Sequence, residues 1–289
     1  MPDLTPQAIR PLIHRALKED AALWDATSHA VIPRAAAIRA RIVAKSGGIA
    51  AGVTVAGLTF AAADRRLRWR PHIRCGAAVA EGTVILSVEG RAWPIFAAER
   101  TALDFLGHLS GIATLTADYV RRVRGTRAKI FDTRKTTPGL RTLEKYAVRA
   151  GGGHNHRLHL GDQILIKTNH LKVLYPQFTT RADAVEHAIA MSQSRYPGKF
   201  VGVEVADMEE FESALTTGVD LILLDNWPVS RLGAAVRMRR AHRHRTLLEV
   251  SGGVTPANVR AIARTGVDRI SVGRLTHSAP ALDVSLEVL

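Results

Sequence analysis

Hydrophobic and polar positions follow different periods in different parts of the chain. Near its start, Thr5 can cap a helix with Pro6 at the first position, and apolar residues recur at helical spacing at Ile9, Leu12, Ile13, Ala16 and Leu17. Apolar and charged residues then mostly alternate over 38–45, which predicts a half-buried strand. Further strands are predicted at 67–73 and 83–88, and a long helix from about Pro94. This part of the chain therefore predicts a mixed α+β unit.

From about residue 125, short apolar runs alternate with helical stretches. The runs are KIFD, QILIK, FVGVEV, LILLD, TLLEV and RISV. Such alternation is typical of parallel strands connected by helices. Because six runs are present rather than the eight of a complete barrel, the pattern predicts an α/β fold with an incomplete, about six-stranded parallel barrel.

Composition narrows the class of protein. With 289 residues, of which 46% are hydrophobic and 23% charged, the chain can form one large or two modest domains without disulfides. The lone Cys75 predicts a reducing compartment, and we expect a cytoplasmic protein because the start of the chain lacks the basic and apolar pattern of a signal peptide. The uncharged stretch 46–63 contains four glycines, so it is predicted to be a buried helix rather than a membrane span.

The net charge of +14 favours anionic partners: nucleic acid, phosphate or carboxylate. The alternative is a basic surface that is simply solvated. Nucleic acid is not expected, since no helix-turn-helix, zinc-finger or RNA-recognition motif is present and aromatic residues make up only 5% of the chain. A membrane partner is not expected either. The charge therefore directs attention to small anionic substrates.

Cationic side chains follow the predicted strands. Thr133, Arg134 and Lys135 come directly after KIFD, Lys167 closes QILIK, and Arg157 lies in the loop GGGHNHR beside His156. The planar guanidinium fork of arginine suits carboxylate or phosphate, and the compact ammonium of lysine suits pyrophosphate. Each cation alone could pair with a surface acid. Because three of the four follow predicted strands and Arg157 lies in a glycine-rich loop just before one, the set indicates a multiply anionic substrate.

Two acids and two glycine loops complete the candidate chemistry. Glu204 and Asp225 end neighbouring strands and could hold Mg²⁺ or accept ribose hydroxyl groups, although either could also be a salt-bridge partner. The two glycine loops are either ordinary turns or loops whose backbone N–H groups bind a phosphate. Because both loops follow the last two strands, phosphate binding is favoured. They consist of Ser251, Gly252 and Gly253, and of Ser271, Val272 and Gly273. Together these groups suit a sugar that carries phosphate and pyrophosphate, Mg²⁺ and a small polycarboxylate.

One stretch of forty residues, FDTRKTTPGLRTLEKYAVRAGGGHNHRLHLGDQILIKTNH, resembles the signature of the quinolinate phosphoribosyltransferase family. Five shorter segments continue the resemblance along the chain: LIHRALKED, AERTALDFLGHLSGIATLT, LLDN, EVSGGV and ISVGRLTHSAPALDVSL. This resemblance implies an N-terminal α/β sandwich over 1–112, completed by 276–289, and an α/β-barrel domain over 113–275. It also implies a homodimer, or a higher oligomer built from it, in which the sandwich of one subunit closes the barrel mouth of the other.

The resemblance further implies the reaction of quinolinate with phosphoribosyl pyrophosphate, with Mg²⁺, to give nicotinate mononucleotide, pyrophosphate and CO₂. Lys135, Lys167, Glu204 and Asp225 would be catalytic, and the last two would also face the metal and the ribose. The two quinolinate carboxylates would be held by Arg134, His156, Arg157 and Arg100 of the partner subunit. The remaining substrate contacts would come from Thr133, Ser251, Gly252, Gly253, Ser271 and Gly273.

Three positions depart from the family pattern. Thr168 stands where the family has an acid, Gly202 stands where it has another, and the glycine-rich motif before Asp25 reads AALW. The alternative within enzymes is a related pyrophosphorylase that acts on a different aromatic carboxylic acid, such as the molybdenum-transport-associated relatives. A catalytically inactive homologue is disfavoured because the charged residues at the strand ends are present.

Overall fold

The computed structural model describes residues 5–242 and 245–289, apart from the side chain of Leu23. Residues 1–4, with which the predicted sandwich begins, lie outside the described residues. The helices are α1 (Pro6–Glu19), α2 (Ala26–Val31), α3 (Val53–Ala63), α4 (Ala92–Arg122), α5 (Arg141–Ala150), α6 (Thr168–Leu174), α7 (Arg181–Arg195), α8 (Met208–Thr216), α9 (Val229–Ala241), α10 (Val259–Arg264) and α11 (Arg274–His277).

The strands are β1 (Ala37–Ala44), β2 (Gly48–Ile49), β3 (Arg68–Pro71), β4 (Ala78–Val79), β5 (Val84–Arg91), β6 (Lys129–Phe131), β7 (Ile164–Ile166), β8 (Val201–Val205), β9 (Leu221–Asp225), β10 (Leu247–Ser251), β11 (Arg269–Ser271) and β12 (Val284–Val288). All six apolar runs of the second part form strands. The predicted helix near the start is confirmed as α1, whose buried face is Ile9, Ile13 and Leu17 and whose first turn is capped by Thr5.

The chain forms two compact units that divide inside α4. Unit 1 comprises the residues up to Ala117, Thr136–Gly152 and Arg274–Leu289, and unit 2 comprises Asp118–Lys135 and Gly153–Gly273. The segment with α5 thus belongs to unit 1, although it follows the first barrel strand. Close packing explains this: a Cβ atom on Gly151 would lie only 2.3 Å from the carbonyl oxygen of Ala113 in α4. The domain boundaries expected from the sequence, 112/113 and 275/276, remain a prediction.

Unit 1 is built on a four-stranded antiparallel sheet in the order β12-β1-β5-β3. The alternation predicted for β1 is confirmed over 39–42, where Ala40 and Ile42 are buried whereas Arg39 is exposed, but Val43, which was expected on the polar face, is buried as well. Ala40 pairs with Val88 of β5 on one side and with Val288 of β12 on the other. A strand from the far end of the printed sequence therefore completes this sheet.

The helix predicted over 46–63 is shorter than expected. Gly48 pairs with Val79 in the small sheet β2-β4, and α3 begins only at Val53. Gly52, the residue before α3, has a φ of +84°, which interrupts the helical backbone. Among the described residues, no helix combines the length and apolar character needed to cross a membrane.

Unit 2 contains a six-stranded parallel sheet in the order β6-β11-β10-β9-β8-β7. Within the described residues β6 and β7 form no pair with each other, so the barrel is open between them, and the predicted incomplete barrel is confirmed. Phe131 of β6 instead makes an isolated parallel bridge with His154. Because all six strands run in the same direction, the residues that follow them meet at one end of the sheet.

Candidate active site

A cavity of about 440 Å³ lies at the carboxyl ends of the unit 2 strands. Most of the predicted site residues line it: Thr133, Arg134, Lys135, His156, Arg157, Lys167, Glu204, Asp225, Ser251, Gly252, Ser271 and Gly273. Gly253 is the neighbour of Gly252 but is not among the lining residues, and Arg100 belongs to unit 1. Four further residues, Leu165, Asn169, Leu223 and Glu249, line the cavity without having been predicted.

Buried Asp132 joins the GGGHNHR loop to the end of β6. Its carboxylate accepts the backbone N–H of His156 at 2.8 Å and the side-chain amide of Asn155, and its own N–H donates to the carbonyl of His154. The next residue, Thr133, accepts the N–H of Lys135 at 3.0 Å. Sequence reasoning missed Asp132, whose only signal was its place as the last residue of KIFD.

Arg157 is held in place although it is almost fully buried, with 8% of its surface exposed. Its guanidinium donates to the carbonyl of Gln163 at 3.0 Å, and its backbone N–H donates to His156 Nδ1 at 2.8 Å. Burial, reinforced by the positive charge of Arg134, lowers the pKa of Arg157. Two cations are thus held near each other in a partly desolvated site, which favours a ligand with more than one negative charge.

Glu204 at the end of β8 is oriented by three donors. Thr168 donates to Oε1 from its hydroxyl at 2.6 Å and from its N–H at 3.3 Å, and Lys167 Nζ lies 3.5 Å from Oε2. The Thr168 departure from the family pattern therefore supplies a neutral donor to the carboxylate. Lys167 remains half exposed, so its ammonium can also reach a ligand.

Asp225 at the end of β9 is oriented by its neighbours in a similar way. Ser251 donates its hydroxyl to Oδ1 at 2.6 Å, and the Asn226 side chain donates to Oδ2 at 2.9 Å. Asn226 has a left-handed φ of +59°, and its N–H donates to the carbonyl of Ser251 at 2.8 Å. These hydrogen bonds therefore hold the ends of β9 and β10 together where Asp225 lines the cavity.

Gly252 needs to be glycine for two reasons. Its φ is +83°, and a Cβ atom there would lie 2.2 Å from Asn226 Oδ1. Gly253 has a φ of +60°, and its carbonyl accepts the Asn258 side chain at 2.9 Å. The close approach of two loops thus brings backbone, without side chains, to this part of the cavity wall.

Glu249 is a buried acid at the cavity that sequence reasoning did not single out. Its side chain has no exposed surface, Ser271 donates its hydroxyl to Oε1 at 2.6 Å, and His156 Nε2 lies 3.4 Å from the same oxygen. Its only sequence signal is its place in EVSGGV, two residues before Ser251.

The structure also shows the surroundings of the other two departures. A Cβ atom on Gly202 would lie 3.0 Å from Leu221 and 3.2 Å from Leu165, so any larger side chain here would require these two leucines to shift. Asp25 caps α2 through the Ser28 N–H, and the hydroxyl and N–H of Ser28 lower the pKa of Asp25. Asp25 therefore has a structural role within unit 1.

Arg100 lies on α4 in unit 1, with two-thirds of its side chain exposed and its guanidinium 3.5 Å from Asp104. It lines a second cavity within that unit, together with Arg15, Glu19 and His108. Its predicted contribution to the site of another subunit stays a prediction.

Comparisons with known proteins agree over the whole chain. Residues 25–110 match the model of the quinolinate phosphoribosyl transferase N-terminal domain, and residues 112–287 match that of its C-terminal domain. The chain is 42% identical to the carboxylating nicotinate-nucleotide pyrophosphorylase of Mycobacterium leprae over 97% of each chain. It is 37% identical to the decarboxylating quinolinate phosphoribosyltransferase 2, mitochondrial, of Nicotiana glauca over 97% of this chain and 82% of that one.

A solved structure shows the same fold. NadC from Streptococcus pyogenes superposes with a TM-score of 0.91 and 36% identity, covering 100% of both chains. Both parts of the sequence, the relatives and the fold lead to one assignment: the chain belongs to the quinolinate phosphoribosyl transferase family.

Proposed function

We propose that the protein transfers the phosphoribosyl group of phosphoribosyl pyrophosphate to quinolinate and decarboxylates the product. The products are nicotinate mononucleotide, pyrophosphate and CO₂, a step of de novo NAD biosynthesis. The observation that carries the proposal is the unit 2 cavity, which joins four cations, two oriented carboxylates and a glycine loop. The names of the relatives state the same activity for those proteins.

The dicarboxylate substrate suits the cationic wall of the cavity. Arg134, Lys135 and Arg157 line it together, and Arg157 is fixed by its hydrogen bond to Gln163. Guanidinium groups bind carboxylates through paired hydrogen bonds, and a desolvated site strengthens that attraction. These residues therefore bind the two carboxylates and orient the pyridine nitrogen towards the ribose.

Phosphoribosyl pyrophosphate suits the rest of the wall. Ser251, Gly252, Gly253, Ser271 and Gly273 provide the loops for its 5-phosphate, since backbone without side chains can approach a phosphate closely. Lys135 and Lys167 are placed to neutralise pyrophosphate as it leaves, and Thr133 contributes an uncharged contact. Glu204 and Asp225 face the ribose.

The chemical step depends on electrostatics. The pyridine nitrogen forms a bond to the anomeric carbon as the bond from that carbon to pyrophosphate breaks, and positive charge grows on the ribose. Carboxylates held rigidly by Thr168 and Ser251 stabilise this charge without having to reorganise. The ring nitrogen then carries a positive charge and stabilises the electron pair that stays on the adjacent ring carbon when its carboxylate leaves as CO₂. A proton from solvent then binds to that carbon.

Mg²⁺ fits the acids of the site. Glu204 and Asp225 are oxygen ligands that line one cavity, and each carboxylate oxygen keeps accepting capacity beyond the bonds described. Within the described part of the chain no group of three or more His, Cys, Asp or Glu could form an all-protein metal site. Mg²⁺ is commonly held by one or two carboxylates together with substrate phosphates. When bound, it would neutralise pyrophosphate charge.

The proposed assembly is a homodimer with a shared active site, in the cytoplasm. The exposed guanidinium of Arg100, whose ion pair with Asp104 lies on the surface of unit 1, supports its availability to a partner subunit's substrate. The single free Cys75 supports a reducing compartment.

The test is an assay of the purified protein with quinolinate, phosphoribosyl pyrophosphate and Mg²⁺ that follows nicotinate mononucleotide and CO₂. Stoichiometric formation of both products is expected. Turnover of nicotinate or another aromatic acid with no reaction of quinolinate would contradict the proposal and favour the related pyrophosphorylase.

A further inference from the structure

Half of the chain's net charge comes from about one-fifth of its length. Residues 34–91, which include β1, β3 and β5, hold ten of the 40 lysines and arginines but only three of the 26 acids. Their net charge is therefore +7, out of +14 for the whole chain. The described residues that line the unit 2 cavity begin at Thr133, so the proposed activity does not account for this charge.

The register of the strands gathers four of these arginines on one face of the unit 1 sheet. β5 lies between β1 and β3, and two of its residues each have an arginine directly opposite on both sides. One row is Arg39, Glu89 and Arg68, and the next row is Arg41, Ser87 and Arg70. Residues that are opposite each other, or two apart along a strand, lie on the same face of a sheet. The two rows therefore face away from the buried Ala40 and Val88.

The two rows line an open cavity of about 510 Å³ on the surface of unit 1. The two arginines of one row are separated by two strand spacings, about 10 Å, and the rows are about 7 Å apart. His72, which also lines the cavity, has its Nε2 atom 3.0 Å from the hydroxyl of Ser87. Four guanidinium groups thus surround an area that a short polyanion can span.

Acids of the sheet balance only part of this positive charge. Glu89 Oε2 lies 3.5 Å from Arg39 Nε, and Glu287 of β12 accepts a hydrogen bond from Arg41 Nε at 3.0 Å. Arg68 and Arg70 are exposed, and within the described parts of the chain they form no ion pair. Unbalanced cations on one face attract an anionic ligand.

We propose that this surface, the arginine face, binds a chain of condensed inorganic phosphates through Arg39, Arg41, Arg68 and Arg70. Guanidinium groups bind phosphate oxygens through paired hydrogen bonds, and condensed phosphate concentrates several charges within the reach of all four. Neither row contains an aromatic side chain on which a base could stack, so the face suits phosphate alone rather than nucleic acid. This site is separate from the unit 2 cavity and does not depend on the proposed function.

Isothermal titration of the whole chain with sodium tripolyphosphate tests the arginine face. The double variant Arg68→Ala/Arg70→Ala should bind tripolyphosphate about tenfold more weakly than wild type. The matched control Arg195→Ala/Arg237→Ala removes two exposed arginines from α7 and α9, and its affinity should stay within about twofold. Tripolyphosphate that binds in the unit 2 cavity contributes equally to all three proteins, so the difference between them reports the arginine face.

A third variant should change the affinity in the opposite direction. Glu89→Gln removes the carboxylate that lies between Arg39 and Arg68, so tripolyphosphate should bind about threefold more tightly. An unchanged or weaker affinity would contradict binding across this row. Because Glu89 is partly exposed, the substitution leaves the core of unit 1 intact.

Equal affinities of wild type and Arg68→Ala/Arg70→Ala would overturn the proposal and leave a basic surface that is simply solvated. Equal or tighter binding of a short glutamate peptide or of single-stranded RNA would also overturn it, because the face would then not select condensed phosphate. Thermal unfolding verifies that each variant folds. Turnover of quinolinate should stay within about twofold in all variants. Tripolyphosphate binding at the arginine face without any turnover of quinolinate would refute the proposed function alone.

Discussion

The hydroxyl of Thr168 donates a 2.6 Å hydrogen bond to Glu204 Oε1. This neutral donor occupies the position at which the family resemblance of the sequence leads us to expect an acid. A second carboxylate here would repel Glu204, whereas the hydroxyl orients it while Lys167 lies 3.5 Å from its other oxygen. The chain thus keeps a single, well-anchored carboxylate at the end of β8.

Replacing Thr168 tests this anchor. Thr168→Val removes the hydroxyl with little change in shape, so Glu204 loses a charge-assisted hydrogen bond and kcat/KM for phosphoribosyl pyrophosphate should fall about tenfold. Thr168→Ser keeps the hydroxyl and should stay within about twofold of wild type. Steady-state kinetics measure both, and equal losses in the two variants would show that the hydroxyl is not what matters.

The two glycines after β10 should differ in their tolerance of a side chain. Gly252→Ala adds both left-handed strain and overlap with Asn226, a cost of about 3 kcal/mol, which lowers Tm by about 6–12 °C. In Gly253→Ala the new Cβ would be 3.8 Å from Asn226, so only strain remains, about 1–2 kcal/mol. Calorimetry compares the two, and an equal fall in Tm would contradict the role of the overlap.

Metal dependence should involve Asp225. Treatment with EDTA is expected to abolish activity and added Mg²⁺ to restore it. Asp225→Asn removes a negative oxygen ligand and should raise the Mg²⁺ concentration for half-maximal activity about tenfold. Glu209→Gln, at an exposed position of α8, removes a charge of the same sign elsewhere and should leave this concentration unchanged. Full activity in EDTA would refute the metal requirement.

A shared active site predicts complementation between defective subunits. Arg100→Ala and Lys135→Ala proteins should each lose nearly all activity. In a mixture of equal amounts with random exchange, half of the dimers are heterodimers and each has one intact site, so about a quarter of wild-type activity should return. Mass spectrometry of differently tagged subunits verifies exchange. Verified exchange without any return of activity would place Arg100 outside the partner's site.

Sequence reasoning found the strands of unit 2 because each is a short apolar run bounded by polar residues, as in KIFD and LILLD. It also predicted which side chains gather in the cavity, since the ends of parallel strands meet at one edge of a sheet. Glu204 and Asp225 were recognisable in this way. Their roles remain predictions, but their shared location follows from the fold.

Other features depend on contacts that no local pattern encodes. Asp132 and Glu249 look like ordinary acids in the sequence, and their burial becomes evident only when His156 and Ser271 are brought to them. The place of α5 in unit 1 depends on the close approach of Gly151 to α4. The order of the strands likewise depends on long-range pairing rather than on their sequences.

The pairing of Ala40 with Val288 has a consequence for biosynthesis. While the ribosome is still making unit 2, β1 has its partner β5 on one side and an open row of backbone donors and acceptors on the other. Such an edge invites pairing with another nascent chain. Arg41 of β1, whose ion-pair partner Glu287 belongs to β12, places positive charge along that edge and discourages self-association until β12 emerges. The sheet of unit 1 can therefore begin to form early in translation, but it is complete only after unit 2 has been synthesised.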